Sequence, residues 1–284
     1  MPARGNAIQS AHGCGTAFKL TPPATGRSAW TESVLYRFAG ETNCATDGAI
    51  PAGGLLADAQ GALYGVTEAG GRGCRPPAPP VTEPGCGTVF RLTPPANGRA
   101  GWAETVLYRF LGGIDGATPV GGLIAGPHGL LFGATAAGGI PFVDCGTIFM
   151  LTPPTAGETA WTKKVLHRFA GTPDACIPMA GLIADGVLHG TTYGGGRSGY
   201  GAVFELTPPT GGRTAWTERV LYSFKFGTDG ALPQAGLVAV AHGAREKGTG
   251  FARPPLVAHQ PRIARRGAQF PRFRLPLPCP VGNL

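Results

Sequence analysis

Residues 87–95 read GTVFRLTPP, and residues 106–110, shortly after Trp102, read VLYRF. In the first stretch Phe90 and Leu92 fall on one face of an extended chain, with Val89 and Arg91 on the other. In the second, strict alternation puts Val106, Tyr108 and Phe110 on one face and Leu107 and Arg109 opposite. Both are short, rich in β-branched and aromatic residues, and bounded by turn chemistry, so both read as strands. The Pro-Pro pair ends the first strand, because proline supplies no ladder donor. Together they predict a hairpin whose loop is TPPANGRAGW.

The hairpin recurs. GTAFKLTPP begins at Gly15, GTIFMLTPP at Gly146 and GAVFELTPP at Gly201, and Trp30, Trp161 and Trp216 follow at a fixed distance. Next come VLYRF at Val34, VLHRF at Val165 and VLYSF at Val220. Asp47, Asp115, Asp174 and Asp229 then open a short turn that ends at Pro51, Pro119, Pro178 and Pro233. A GGL or AGL triplet follows, and three copies continue into LYGVT (Leu63), LFGAT (Leu131) and LHGTT (Leu188). Such self-similarity at about 55–70 residues marks a repeat architecture. Each unit holds four strands: A at GGL, B at LYGxT, C at GTVFRLT and D at VLYRF. No helical period appears. Four short strands per repeat predict an all-β fold, a β-propeller-like array of about four four-stranded blades. A blade cannot bury both faces of its sheet alone, so each must pack on its neighbours. A β-helix usually repeats at a shorter period, and sandwich strands do not recur as near copies.

Residues 1–12 are expected to form a poorly ordered N-terminus or a degenerate strand B, residues 13–240 the repeats, and residues 241–284 a disordered tail. Strand A at 233–240 could join strands B, C and D of the first unit to close a fourth blade. Alternatively, the chain is a fragment of a larger ring, the reading the abrupt break at Val240 favours. In the tail Ala, Arg, Pro and Gly make up 25 of 44 residues, the composition that GC-rich DNA encodes in almost any frame. The tail therefore reads as out-of-frame sequence, or else as a basic segment for acidic partners.

Composition excludes several classes. Glycine (48) and proline (28) exceed a quarter of the 284 residues, but their periodicity argues against a low-complexity chain. No apolar run is long enough for a membrane-spanning helix. The net charge of +8 comes almost wholly from the tail, which holds eight Lys/Arg and one acid. The remainder is close to neutral, so no nucleic-acid partner is expected. The N-terminus lacks the apolar core of a secretory signal. Seven cysteines mildly favour oxidising surroundings. Cys74 and Cys86 flank the insertion in the first interval and form the expected disulfide. No CxxC or HxxxH pair occurs, so no metal or cofactor is expected.

LYGxT, (C)GTVFxLTPP, WxExVLYxF and DGAxPxGGL together resemble the GloVer repeat of bacterial choice-of-anchor tandem repeat proteins, over about residues 13–240. The resemblance implies a propeller-like, extracellular or surface-anchored repeat protein with no established activity and no catalytic residues to carry over. Members usually bear an export signal and a C-terminal sorting anchor.

Titratable residues offer little chemistry. His167 and His189 stand where other copies have Tyr and read as aromatic-sized substitutions, and His128 lies in a turn. No GxSxG, HExxH or phosphate loop is present. The carboxylates Asp47, Asp115, Asp174 and Asp229 form a ladder that could gather a cation or ligand on one face, although Asp before Gly is ordinary turn chemistry. Glu32, Glu104 and Glu218 follow their tryptophans by two residues, and Lys163 takes that place in the third copy, which suits a solvated edge. Each Trp is expected to pack on its Pro-Pro corner, with sugar stacking as the minority reading. The leading expectation is a non-catalytic surface module that binds a polysaccharide or other surface ligand. The alternatives are a propeller-class enzyme acting on polysaccharide, and a nonfunctional fragment.

Overall fold

The computed structural model describes residues 14–38, 47–71, 85–96, 101–239 and 256–257. Among them there is no α-helix, and the chain is an all-β, propeller-like array of blades. β1 (Thr16–Thr21) and β2 (Thr31–Arg37) form a two-stranded hairpin. The next unit is a four-stranded antiparallel sheet of β3 (Ala49–Ala57), β4 (Leu63–Ala69), β5 (Thr88–Thr93) and β6 (Ala103–Arg109), in that order. The third repeats it with β7 (Ala117–Ala125), β8 (Leu131–Ala137), β9 (Thr147–Thr152) and β10 (Thr162–Arg168).

In the fourth, strand A is split into β11 (Ala175–Pro178) and β12 (Ile183–Ala184), both paired with β13 (Leu188–Gly195). β14 (Ala202–Thr207) and β15 (Thr217–Ser223) complete that sheet. The expected strand A at 233–240 is reduced to β16 (Val238–Ala239), which pairs with β17 (Leu256–Val257). Thus two residues of the expected tail join a ladder. Residues 1–12 and the rest of the tail lie outside the described residues.

The hairpin departs from strict alternation at one point, and it does so in every copy. Cross-strand partners share a face of the sheet. Phe90 pairs with Val106 and Leu92 with Glu104, whereas Val89 pairs with Tyr108, so the register slips by one at Leu107. The same slip occurs at Leu35, Leu166 and Leu221. Val106 and Tyr108 therefore lie on opposite faces, which corrects the single face expected from their spacing. A β-bulge inserts one residue and changes the phase of everything after it. Here it gives strand D two faces: Glu104 and Val106 look to the preceding blade, Tyr108 and Phe110 to the following one.

That phase change builds the core. Phe110 meets Phe149 of the next blade edge-to-face at 5.1 Å, as Phe38 meets Phe90 at 5.0 Å and Phe169 meets Phe204 at 5.1 Å. Phe90, Phe149 and Phe204 are fully buried. Backbone bonds accompany each contact. Phe38, Phe110, Phe169 and Phe224 donate their N–H groups to Gly15, Gly87, Gly146 and Gly201, tying strand D to the start of strand C. The residues before those glycines, Cys14, Cys86, Cys145 and Tyr200, accept from Ile50, Thr118, Ile177 and Leu232 at the start of the next strand A.

Those four donors all have φ between 54° and 60°, a conformation rarely taken by such side chains and held only where surroundings over-determine it. The following proline then crosses onto the glycine: a Cβ on Gly87 would lie 2.4 Å from Cδ of Pro119. The GG pair has a similar origin, since a Cβ on Gly121 would lie 2.2 Å from the Ala180 carbonyl carbon of the next strand A.

The first hairpin shows the same face without a blade described before it. Phe18 and Leu20 are 52% and 54% exposed, whereas their counterparts Phe149 and Leu151 are 0% exposed. Phe149→Ala is accordingly expected to lower the unfolding free energy by about 3–5 kcal/mol. Phe18→Ala should cost under about 1 kcal/mol. Urea denaturation of the two variants measures the difference, and equal losses would contradict packing between blades as the source of stability.

Candidate functional site

The titratable side chains of the repeats collect at the blade junctions. Each Asp lies between strand D and the next strand A, and Asp115, Asp174 and Asp229 close that loop by accepting backbone N–H bonds. Oδ2 of Asp115 accepts from Leu111 at 2.9 Å, that of Asp174 from Ala170 at 2.7 Å and that of Asp229 from Lys225 at 2.8 Å. The ring at the VLYRF tyrosine position then reaches the same carboxylate. Tyr36 donates to Asp47 at 2.9 Å, Tyr108 to Asp115 at 2.8 Å, and Tyr222 to Asp229. His167 replaces the phenol in the third unit, with Nε2 3.4 Å from Asp174 Oδ2. His189 makes a parallel exchange. Where Tyr64 donates to Asp58 at 3.0 Å, Nε2 of His189 lies 3.1 Å from Asp185 Oδ1. Each histidine thus keeps both the ring and its acid partner.

A third group arrives from the following blade, two residues after its tryptophan. Glu104 faces Asp47, Lys163 faces Asp115 and Glu218 faces Asp174. These positions are not the solvated edge their variability suggested. Oε1 of Glu104 and of Glu218 is buried without a hydrogen-bond partner among the described residues, and the Lys163 side chain is 2% exposed. The bulge is the reason, because it separates Glu104 and Tyr108 onto opposite faces of one strand. The variability has a physical reading too: Lys163 turns a junction of two carboxyls into an ion pair. Its Nζ lies 2.6 Å from Asp115 Oδ1, also donates to the Asp115 carbonyl, and sits over the rings of Tyr108 and Phe110 at 5.1 and 4.7 Å.

Charge follows from these neighbours. Burial, reinforced by the Asp47 carboxylate, pushes the Glu104 carboxyl up to about 7, with Arg109 pulling against the rise. Burial and Asp174 push Glu218 up to about 7 in the same way. Asp174 stays below the usual carboxylate range despite burial, because His167 and the N–H groups of Ala170 and Ala175 bond its ionised form. Burial lowers the Lys163 ammonium, and Asp115 opposes that shift.

The structure holds a disulfide that the sequence analysis did not name. Cys145, at the start of strand C, is bonded to Cys176 in the next strand A. Sequence reasoning missed this bridge because the two residues are neighbours only once successive blades are stacked. Cys86 is disulfide-bonded, while Cys74, its expected partner, lies outside the described residues. The tryptophans also serve the junctions. Trp102, Trp161 and Trp216 pack against cores that include the preceding unit, and Trp216 meets Phe132 edge-on at 6.2 Å.

Repeated hairpin, repeated junction and repeated glycine–proline crossing all belong to one unit, and the sequence matches the Gloeobacter/Verrucomicrobia repeat over residues 5–250. The chain belongs to that family. No curated protein matches it in sequence. Family membership makes it a repeat protein. Among the described residues no helix is long and apolar enough to cross a membrane.

Because the folded-state value of Glu104 is raised from 4.5 to about 7, the native state holds the extra proton across that interval. The contribution of Glu104 to stability is therefore full below about pH 4.5 and is lost as pH rises through 7. Glu104→Gln should flatten this dependence, and Lys163→Glu should steepen it by installing a carboxyl pair at the second junction. Thermal melts between pH 4 and 8 provide the check. A parallel set of curves for parent and variants would contradict the assignment.

Proposed function

We propose that the protein is a non-catalytic repeat module, working outside the cytoplasm, that binds a polysaccharide or other surface ligand through the loops between strands C and D. One observation carries the reading: the recurring titratable groups are spent on joints between blades. Catalysis needs such groups to converge where substrate can reach them, and these face one another inside the array. The C–D loops, by contrast, recur at one place in every unit, and those of the first, third and fourth units stand in solvent. Residues 24–30, 155–160 and 210–215 are exposed throughout.

Disulfides support the location. The Cys145–Cys176 bridge spans 31 residues of sequence, and bridges of this kind persist in oxidising compartments. Closing a loop of that size is worth about 3–4 kcal/mol. Cys145→Ser with Cys176→Ser should lower stability by that order, as should a reductant acting on the parent, both read by denaturant melts.

Binding and turnover are tested together. The full chain is screened on a glycan array and against chromogenic glycosides, with cell fractionation reporting its location. Saturable binding without turnover, in the extracellular or envelope fraction, is the expected result. Turnover of any glycoside would instead favour a propeller-class enzyme acting on polysaccharide. A reduced protein in the cytosolic fraction would overturn the location.

A further inference from the structure

The third junction differs chemically from the other two. At the first, a phenol and two carboxyls meet in Tyr36, Asp47 and Glu104. At the second, a phenol and a carboxylate meet an ammonium in Tyr108, Asp115 and Lys163. At the third, an imidazole meets two carboxyls, and one donor atom each from His167, Asp174 and Glu218 lies within 4.8 Å of the others.

We propose that His167, Asp174 and Glu218 bind one divalent transition-metal ion, which clamps the third and fourth repeats together. Imidazole nitrogen with carboxylate oxygen is a donor set that zinc and its neighbours accept, and three protein ligands leave a coordination position for water. Two of the donor atoms, Nε2 of His167 and Oε1 of Glu218, are buried at the junction without a close hydrogen bond among the described residues, and the one group facing Nε2 is the third ligand, Asp174 Oδ2 at 3.4 Å. Asp174 is oriented by its surroundings, since Ala175 donates to Oδ1 at 2.6 Å and Ala170 to Oδ2 at 2.7 Å. Outer contacts of this sort fix a ligand's direction and support affinity.

The scaffold holds the three residues from both sides of the junction. His167 lies on β10, Glu218 on β15, and Asp174 on the loop between β10 and β11. That loop is anchored two residues later by the bond from Cys176 to Cys145. The neighbouring junction shows what such a site wants. Facing Asp115, the chain supplies its own cation, Nζ of Lys163. Facing Asp174 it supplies a second carboxyl, and a bound cation would relieve the same repulsion. Closing from 4.8 Å to the roughly 3.3 Å between donors around a tetrahedral zinc ion is within the reach of side-chain rotation at Glu218.

Zinc chloride is titrated calorimetrically into the full-length, chelator-stripped protein, with thermal melts in parallel and cobalt(II) absorption as the spectroscopic probe. One equivalent should bind and raise the midpoint of unfolding. His167→Tyr and Glu218→Lys install side chains that the other junctions already accommodate, and Glu218→Gln removes one charge. Each should lower zinc affinity at least about tenfold. If a variant fails to fold, the cobalt spectrum of the parent decides. Bands of nitrogen and oxygen ligation support the site, and thiolate charge-transfer bands overturn it. Absence of zinc binding, or equal binding by parent and folded variants, would also overturn it.

Discussion

Everything in this chain depends on one blade's aromatic edge being closed by the next. A single four-stranded sheet of this size has two apolar faces and too little sequence to cover either. Phe110 is buried only because Phe149 of the following unit lies across it, and Phe149 is buried only because Phe110 does. Stability in such an array is a sum of nearest-neighbour terms rather than the property of one central core. The three core clusters have this character, each combining residues from adjacent units.

The bulge at Leu107 and its copies makes the mutual closure feasible. Without an extra residue, a strand alternating with period two would send Glu104, Val106, Tyr108 and Phe110 to one side. That side would then carry both the acid and the large rings, and the other would carry little to pack. With it, each hairpin offers a charged residue and a β-branched residue backward and two aromatic rings forward. The junction polar groups are a consequence of that arrangement. They sit where the two offered faces meet, at the rim of the aromatic contact, and because packing supplies most of the energy their chemistry can vary. One carboxyl pair, one ion pair and one imidazole with two carboxyls occupy equivalent places in the same fold.

Much of this was legible in the sequence because turn chemistry and alternation are local. Among the described residues strands B, C and D fall where their motifs place them, as strand A does in the second and third units, and the exchange of Tyr for His at 167 and 189 keeps the partner acid, as an aromatic-sized substitution should. What escaped is what local pattern cannot carry. Strict alternation hid the slip at Leu107, whose signal was available in the leucine that precedes the aromatic residue in every copy. Variation among Glu104, Lys163 and Glu218 suggested solvent, because a change of charge sign usually marks an exposed site. Here it marks a buried one whose opposite partner stays constant. Cys145 and Cys176 belong to different repeats, so their pairing required knowing which edges touch.

Departures from symmetry are where a repeat protein acquires something its units lack. Two of them coincide at the third junction: the only described bridge with both cysteines in view, and the only imidazole at the VLYRF tyrosine position. Their proximity has a mechanical meaning. Cys176 is the second residue of β11, the strand that follows Asp174, and its bond to Cys145 fixes that strand against the entrance to β9. The same strand donates the Ile177 N–H to the Cys145 carbonyl. Loop movement that would otherwise blur the distance between Asp174 and His167 is thus restrained both covalently and by the backbone. In the second junction no such precision is needed, since a flexible lysine can find its carboxylate and three rings from a range of positions. Rigidity is concentrated where short side chains must meet without a long one to adapt.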